Sequence, residues 1–280
     1  MKIALFPKIH EDVGKKLAQE VYQFLTSHKV EVVVEDDKAS FLNAPLLSSI
    51  DPSSIDILIT MGGDGSILRV AHQYSHLNGA ILGINLGHLG FMADVKVSDI
   101  TSGLKNLINQ NFTIQKRLII EGSSSTQQSF FAINDCVLHR GQNPSLVEIT
   151  IHVDDLLLNT FQADGVIIAT PNGSTAYSLA AGGPIVSPTI EAFVITPICP
   201  HTISNRPIVL PPSDNIRIEY AGYENTSIEF VTDGLHHFEI KSGDQIHLRK
   251  GAKTFNLVNF EGIDYFSTLR HKLGWSGKLR

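Results

Sequence analysis

A run of apolar residues, "DILIT" at 56–60, stops on Met61-Gly62-Gly63-Asp64-Gly65 and gives way to "SILRVAHQY" (66–74), whose apolar residues recur at helical spacing. A strand that turns at once into a helix belongs in a sheet whose faces are covered by helices. The flanking sequence repeats the alternation. "KIALF" (2–6), "VEVVV" (30–34) and "AILGIN" (80–85) read as strands. Val13, Leu17, Val21, Phe24, Leu25 and His28 form one helical face, and "SDITSGLKNLINQ" (98–110) reads as a helix capped by Ser98. Strand–helix alternation of this kind predicts an α/β domain over residues 1–115, with a Rossmann-like parallel sheet and right-handed crossovers.

The texture changes after residue 115. "FFAINDCVL", "LVEITIHV", "LLLNTF", "GVIIAT", "NIRIEY", "SIEFV", "QIHLR" and "TFNLVNF" follow at short intervals, separated by Asn, Asp, Gly and Pro. This predicts an all-β domain over 116–262, a layered β-sandwich. A short helix of small residues is expected within 174–182, and a polar loop or hairpin tip at "EGSSSTQQS" (121–129). The tail 263–280 carries "DYFSTLRHKL", expected as a final helix that packs back on the first domain.

Composition narrows the partners. The formal net charge is −6, and Lys and Arg form no dense run, so neither nucleic acid nor an anionic membrane surface is an expected partner. No signal peptide and no membrane span are expected, which places the chain in the cytoplasm. Cys136 and Cys199, the only two cysteines, read as buried free thiols. If the ligands are phosphates, local geometry or a metal must hold them.

The glycine-rich turn is where such geometry should arise. Ligands of open α/β sheets sit at strand carboxyl ends, and a helix N-terminus offers free N–H groups. Gly62, Gly63 and Gly65 form the expected phosphate turn, although the sequence is neither a Walker motif nor Gly-x-Gly-x-x-Gly. An acid among phosphates needs a task. Asp64 either removes a proton from a hydroxyl or holds a divalent cation; otherwise it merely caps the helix. Arg69, about one turn on, reaches a phosphate or lies on a solvated face.

Two further clusters stand out. Asn134-Asp135 interrupts an apolar strand, as a turn or bulge or as a pair that binds ribose hydroxyls or a base edge. "FQADGVIIATPNGSTAYSLAAGGPIV" (161–186) presents Asp164, a turn at Asn172, and hydroxyls at Ser174, Thr175, Tyr177 and Ser178 among small residues. Ser174 reads as a helix N-cap. A hydroxyl-rich turn without acids or bases suits nucleotide binding more than acid–base chemistry. His72 and His76 fall i, i+4 on the expected helix but lack the further ligands of a zinc site, and no protein-built metal site is expected. His236 and His237 follow Asp233-Gly234 in a turn.

Together "GGDG" (62–65), "IND" (133–135), "TPNGSTAYSLAAGGPIV" (170–186) and "ITPICPHTISNRPIVLP" (195–211) resemble the bacterial type of the NAD kinase (ATP-NAD kinase) family. The resemblance spans roughly residues 55–240. It implies an α/β domain and a β domain with the active site in the cleft between them. It implies phosphoryl transfer from ATP, or in some members polyphosphate, to the adenosine-ribose 2′-hydroxyl of NAD. It also implies a divalent cation, Mg²⁺ or Mn²⁺, and a homodimer or homotetramer. Asp64 falls on the acid that activates the hydroxyl. Asp64, Gly65, Arg69, Asn134, Asp135, Asp164, Asn172, Thr175, Ala176, Tyr177, Ser178, Leu179 and Ala180 fall on expected NAD contacts. Three positions depart from the usual pattern. Asn172 stands where Thr or Ser is common, Asp135 where Glu is common, and Leu235 where Gln is usual, with His236 beside it as a substitute. The competing readings are a lipid kinase of the same superfamily, a nucleotide sensor without catalysis, and an NAD-dependent oxidoreductase, whose Gly-x-Gly-x-x-Gly fingerprint is missing after the first strand.

Overall fold

The computed structural model of the chain describes residues 1–9, 11–87, 90–93, 95–125, 127–222, 227–262 and 264–275. The chain divides into two units, Met1–Lys116 with Asn256–Arg280, and Arg117–Phe255.

In the first unit, strands β1 (Lys2–Phe6), β2 (Glu31–Val34), β3 (Ile57–Met61) and β4 (Ala80–Asn85) alternate with helices α1 (Asp12–Ser27), α2 (Asp36–Leu42) and α3 (Asp64–Gln73). The two-residue strand β5 (Val95–Lys96), helix α4 (Ile100–Ile108) and strand β6 (Thr113–Arg117) follow. The pairings β1–β2, β1–β3 and β3–β4 are all parallel, with Ile3 beside Ile57 and Ile57 beside Ala80. Strands covered on both faces read as unbroken apolar runs, and β3 and β4 are buried at every position. Leu17, Val21 and Leu25 of α1 and Leu104 and Leu107 of α4 complete this core. Val13, expected on the buried face of α1, is 64% exposed; Gly14 is buried instead, against the backbone of Lys8. Ser98 does not cap α4. It sits inside a 3₁₀ turn, Val97–Asp99, and the helix begins after it with no side-chain cap.

The second unit is two six-stranded antiparallel sheets. Its strands run β7 (Ile120–Ser124), β8 (Ser129–Ala132), β9 (Asp135–His139), β10 (Val147–Val153), β11 (Leu156–Ala163), β12 (Gly165–Ala169), β13 (Phe193–Ile198), β14 (Ile208–Leu210), β15 (Ile216–Ala221), β16 (Ser227–Thr232), β17 (His236–Lys241) and β18 (Gln245–Lys250). One sheet has the order β11-β10-β15-β18-β7-β8, the other β14-β13-β12-β9-β16-β17. Inward-facing Ile120, Ile149, Ile168, Phe193, Ile218 and Phe230 belong to one core. The outer face of the second sheet carries a smaller cluster, Val137, Ile167, Ala169, Val194 and Ile198, which packs under Ala181 and Val186. The short helix α5 (Tyr177–Ala180), preceded by a 3₁₀ turn Gly173–Thr175, lies in this second unit.

The chain then returns to the first unit through β19 (Phe255–Asn259) and helix α6 (Tyr265–Leu273). "TFNLVNF" reads as one more strand of the β domain, yet β19 runs parallel to β4, with Leu257 beside Ile81, in the sheet β2-β1-β3-β4-β19-β6. Its buried Leu257 and Val258 satisfy either setting, so the alternation pattern alone does not assign it. In α6, Tyr265 packs near Phe91 (6.3 Å between ring centres) and Lys272 Nζ lies 4.8 Å above the Phe91 ring. Ile263 and residues 276–280 of the expected tail lie outside the described residues.

Candidate active site

The Gly62–Gly65 turn sits at the carboxyl end of β3, as the apolar run and its glycines require. Gly62 takes φ +146°, and a Cβ there would lie 2.1 Å from Ser66 Oγ. Gly63 and Gly65 have open space instead, so the chain's own fold does not demand glycine at either. Asp64 is the first residue of α3, and the N-cap position falls on Gly63. Its carboxylate therefore does not cap the helix. It accepts three consecutive backbone N–H groups: Phe91 to Oδ2 at 2.7 Å, and Met92 and Ala93 to Oδ1 at 3.0 and 3.2 Å. Successive amides of this kind form a concavity suited to an anion, here filled by the protein's own carboxylate. Gly90 makes room for it, because a Cβ at Gly90 would stand 2.0 Å from Asp64 Oδ1. A carboxylate offers about four acceptor positions, so about one remains open. Arg69 is exposed on α3.

In the second unit the site is built where the chain leaves one sheet for the other. The expected single strand 130–138 is two, β8 and β9, with Ile133-Asn134 at the crossing. Asp233, in the left-handed region at φ +52°, holds this crossing. Its carboxylate accepts the N–H groups of Ile133 (2.8 Å), Asn134 (2.7 Å) and Asp135 (3.1 Å), and its own N–H donates to Asp135 O (3.0 Å). Asn172 Nδ2 donates to Asn134 Oδ1 at 2.6 Å, and Arg117 Nη1 donates to Asn172 Oδ1 at 3.4 Å. Asn172 thus extends a side-chain chain from Arg117 to Asn134, which a Thr or Ser would be too short to span. Gly173 allows the close approach, since its Cβ would lie 2.1 Å from Asn134 O. Asp135 is buried, and burial first and the Asp233 charge second push its carboxyl up to about 7. The same burial, with both aspartates nearby, raises the thiol of Cys136 well above its ordinary range.

The remaining expected contacts divide. Ser174 is no N-cap: its hydroxyl donates to Pro171 O (2.6 Å) and accepts from Val186 N–H (3.0 Å), pinning the two ends of the loop. Thr175 Oγ1 donates to Asn172 O (3.2 Å), and the Ser178 and Thr196 hydroxyls lie 2.9 Å apart in the interior. Ala176, Tyr177 and Ala180 are exposed and Leu179 is half-buried. Asp164 stands apart from the Asn134 cluster, accepting Arg140 Nε at 2.6 Å. Leu235 and the two histidines beside it are exposed; His236 and His237 open strand β17 rather than lying in the turn. His76 lies beyond the end of α3, so it shares no helix with His72. Cys199, expected buried, is exposed at φ +44° where the chain turns after β13.

The ATP-NAD kinase N-terminal domain model matches residues 3–112, and the C-terminal domain model matches residues 133–260. The chain belongs to the ATP-NAD kinase family. It is 49% identical to an NAD kinase of Protochlamydia amoebophila, over 99% of each chain, and 38% identical to one of Caldanaerobacter subterraneus, over 97% of this chain and 98% of the other. A crystal structure of yeast NADH kinase complexed with NADH matches with a TM-score of 0.86 at 27% identity, covering all of this chain and 89% of that one. An NAD kinase of Archaeoglobus fulgidus shares the fold, with a TM-score of 0.77 at 24% identity, over 98% of this chain and 99% of that one. Membership of this kinase family disfavours the lipid-kinase, sensor and oxidoreductase readings. Among the described residues no helix is long and apolar enough to cross a membrane.

Arg117, Gly90, the amides of Phe91–Ala93 and the clamp at Asp233 are not among the residues that the sequence motifs single out. Arg117 has one visible signal: with Lys116 it stands directly before the apolar run Leu118–Ile120, and it is buried. Gly90 and the 91–93 amides had none, because backbone donors carry no residue signature.

Proposed function

We propose that the chain phosphorylates the adenosine-ribose 2′-hydroxyl of NAD with ATP, giving NADP and ADP. Family membership supports the activity; the held carboxylate of Asp64 supports the residue. The backbone donors orient Asp64 so that its open acceptor position takes the hydroxyl proton as the oxygen attacks the terminal phosphorus. The new O–P bond forms as the bond to the ADP oxygen breaks. Most of the acceleration in such a reaction is positioning and charge neutralisation, with general-base help of about 10²–10⁴.

In the second unit, Asn134, Asp135 and Asn172 bind the dinucleotide, and the exposed Ala176, Tyr177 and Ala180 let it lie close to the backbone. Thr175, Ser178 and Leu179 shape that surface, Asp164 adds a contact held by Arg140, and Arg69 and Gly65 serve the phosphates. Among the described residues no group of three or more His, Cys, Asp or Glu could hold a metal. Mg²⁺ or Mn²⁺ would be held by the hard phosphate oxygens of the donor, which leaves the open position of Asp64 to the hydroxyl. Such a cation, when bound, neutralises phosphate charge. We also place the enzyme in the cytoplasm as a homodimer or homotetramer, which light scattering after size exclusion checks.

The test is NADP formation from ATP, Mg²⁺ and NAD, read with an NADP-specific dehydrogenase. No NADP above the protein-free control rejects the activity. Asp64→Asn is expected to keep NAD binding and lose at least about 10²-fold in turnover; equal turnover removes Asp64 from the chemistry.

A further inference from the structure

A cavity of about 510 Å³ opens within the first unit, lined by Asn85, Gly87, Lys96, Ser98, Ser267 and His271 among others. Its volume is that of a small-molecule site. Asn85 and Lys96 are the last residues of β4 and β5 and stand beside each other in register, so the cavity lies at the carboxyl edge of the parallel sheet. The Gly62 turn leaves the neighbouring strand at the same edge, where Gly62 N–H donates to Ile84 O at 2.8 Å.

The lining chemistry is one-sided. Lys96 and His271 supply cationic or donor nitrogens, and Ser98, Ser267 and Asn85 supply hydroxyl and amide groups. No carboxylate lines the cavity among the described residues. Neither Lys96 nor His271 makes an ion pair with a described residue, although the chain carries a net charge of −6. Ser267 and His271 fall i, i+4 on α6 and so share one face of it. The next residue, Lys272, rests on the ring of Phe91, whose N–H holds Asp64. A cavity with a lysine ammonium, an imidazole and hydroxyls beside the residues that hold the reactive acid suits a condensed phosphate chain.

We propose that this cavity receives the oligophosphate chain of the phosphoryl donor, delivering its terminal phosphorus toward the Asp64 turn. This deepens the kinase reading above and rests on it. The recognised chemistry is shared by a nucleoside triphosphate and by inorganic polyphosphate, and the two are separated below by using each as donor.

The probe is inorganic tripolyphosphate, titrated calorimetrically into the full chain without metal or NAD. We expect binding by the parent chain and about tenfold weaker binding by Lys96→Ala combined with His271→Ala, the size expected for losing charge-assisted contacts. Lys96→Arg should restore most of that affinity. Both positions are exposed, so the unfolding midpoint should stay within a few degrees, and a normal melt shows that any loss is local. In the NADP assay the double variant should raise the KM of the donor several-fold and leave the KM of NAD unchanged. An effect with ATP and with polyphosphate assigns the cavity to the shared chain; an effect with only one names the donor it serves. Equal tripolyphosphate affinity in parent and variant overturns the site. Weakened tripolyphosphate binding with an unaltered KM for every donor overturns its assignment to the donor. A parent chain that makes no NADP, by contrast, defeats the kinase reading and leaves the titration interpretable.

Discussion

Gly90→Ala should separate the placement of Asp64 from its presence. The added methyl would lie 2.0 Å from Asp64 Oδ1, 2.7 Å from Cγ and 3.0 Å from Oδ2. A carbon needs roughly 3.5 Å from a non-bonded heavy atom, so the shortfall at Oδ1 is about 1.5 Å. Every clashing atom is the end of one flexible side chain, so the carboxylate swings away and the backbone stays. The swing breaks the N–H contacts at 2.7, 3.0 and 3.2 Å. Because Asp64 is only half-buried, water replaces part of what is lost, and the stability cost should be about 1–3 kcal/mol. The effect on turnover is larger. Misplacing a reacting group by about 1 Å costs on the order of 10²-fold, or about 3 kcal/mol of barrier. Steady-state NADP formation should show kcat down about 10²-fold with the KM of NAD nearly unchanged, and urea unfolding should show a modest shift. If Gly90→Ala keeps kcat within about threefold of the parent while Asp64→Asn loses its expected 10², the amide clamp is not what positions the acid.

Gly62→Ala should destabilise by about 1–3 kcal/mol through strain and the Ser66 clash, whereas Gly63→Ala should leave the melt unchanged and raise the donor's KM, because only a ligand needs that space. Gly173→Ala drives a methyl to 2.1 Å from a backbone oxygen that cannot rotate aside, so it should cost about 2–3 kcal/mol or more in urea unfolding and raise the KM of NAD. For Asp135 the folded-state value of about 7 lies above the ordinary 3.8, so the folded chain holds the proton more tightly and stability falls as pH rises from about 4 to about 7, by at most ~4 kcal/mol. Asp135→Asn should flatten that fall in unfolding free energy measured at pH 5 and pH 8, and a slope equal to the parent's would assign it to other groups.

The legible parts of this chain are those where side chains carry the signal. The α/β unit was readable because buried parallel strands tolerate only apolar residues, and β3 and β4 comply at every position. The β-rich unit was readable from its alternation. Strand β19 was not, because its membership is fixed by which sheet offers an open parallel edge, a fact about the assembled fold rather than about "TFNLVNF". Cys199 and Val13 were misplaced for a related reason: an apolar side chain at a turn or at the first turn of a helix need not face the core, and exposing it costs little.

The candidate site shows the same division at finer grain. Asp64 and Asp233 use one device, a carboxylate that accepts three consecutive backbone amides, 91–93 in one unit and 133–135 in the other. The partners lie 27 to 29 and 98 to 100 residues away in sequence, and an amide donor has the same identity in every residue but proline. A sequence can therefore announce that an acid has been placed in a turn, but it is silent about what orients it. That silence matters for catalysis. An acid free to rotate spends its time solvated, while one held by three donors offers one fixed face. The holding residues then become targets in their own right. Substituting Phe91, Met92 or Ala93 by anything but proline leaves their amides in place, so Gly90, which has no side chain at all, is a position through which the clamp on Asp64 can be broken with every donor retained.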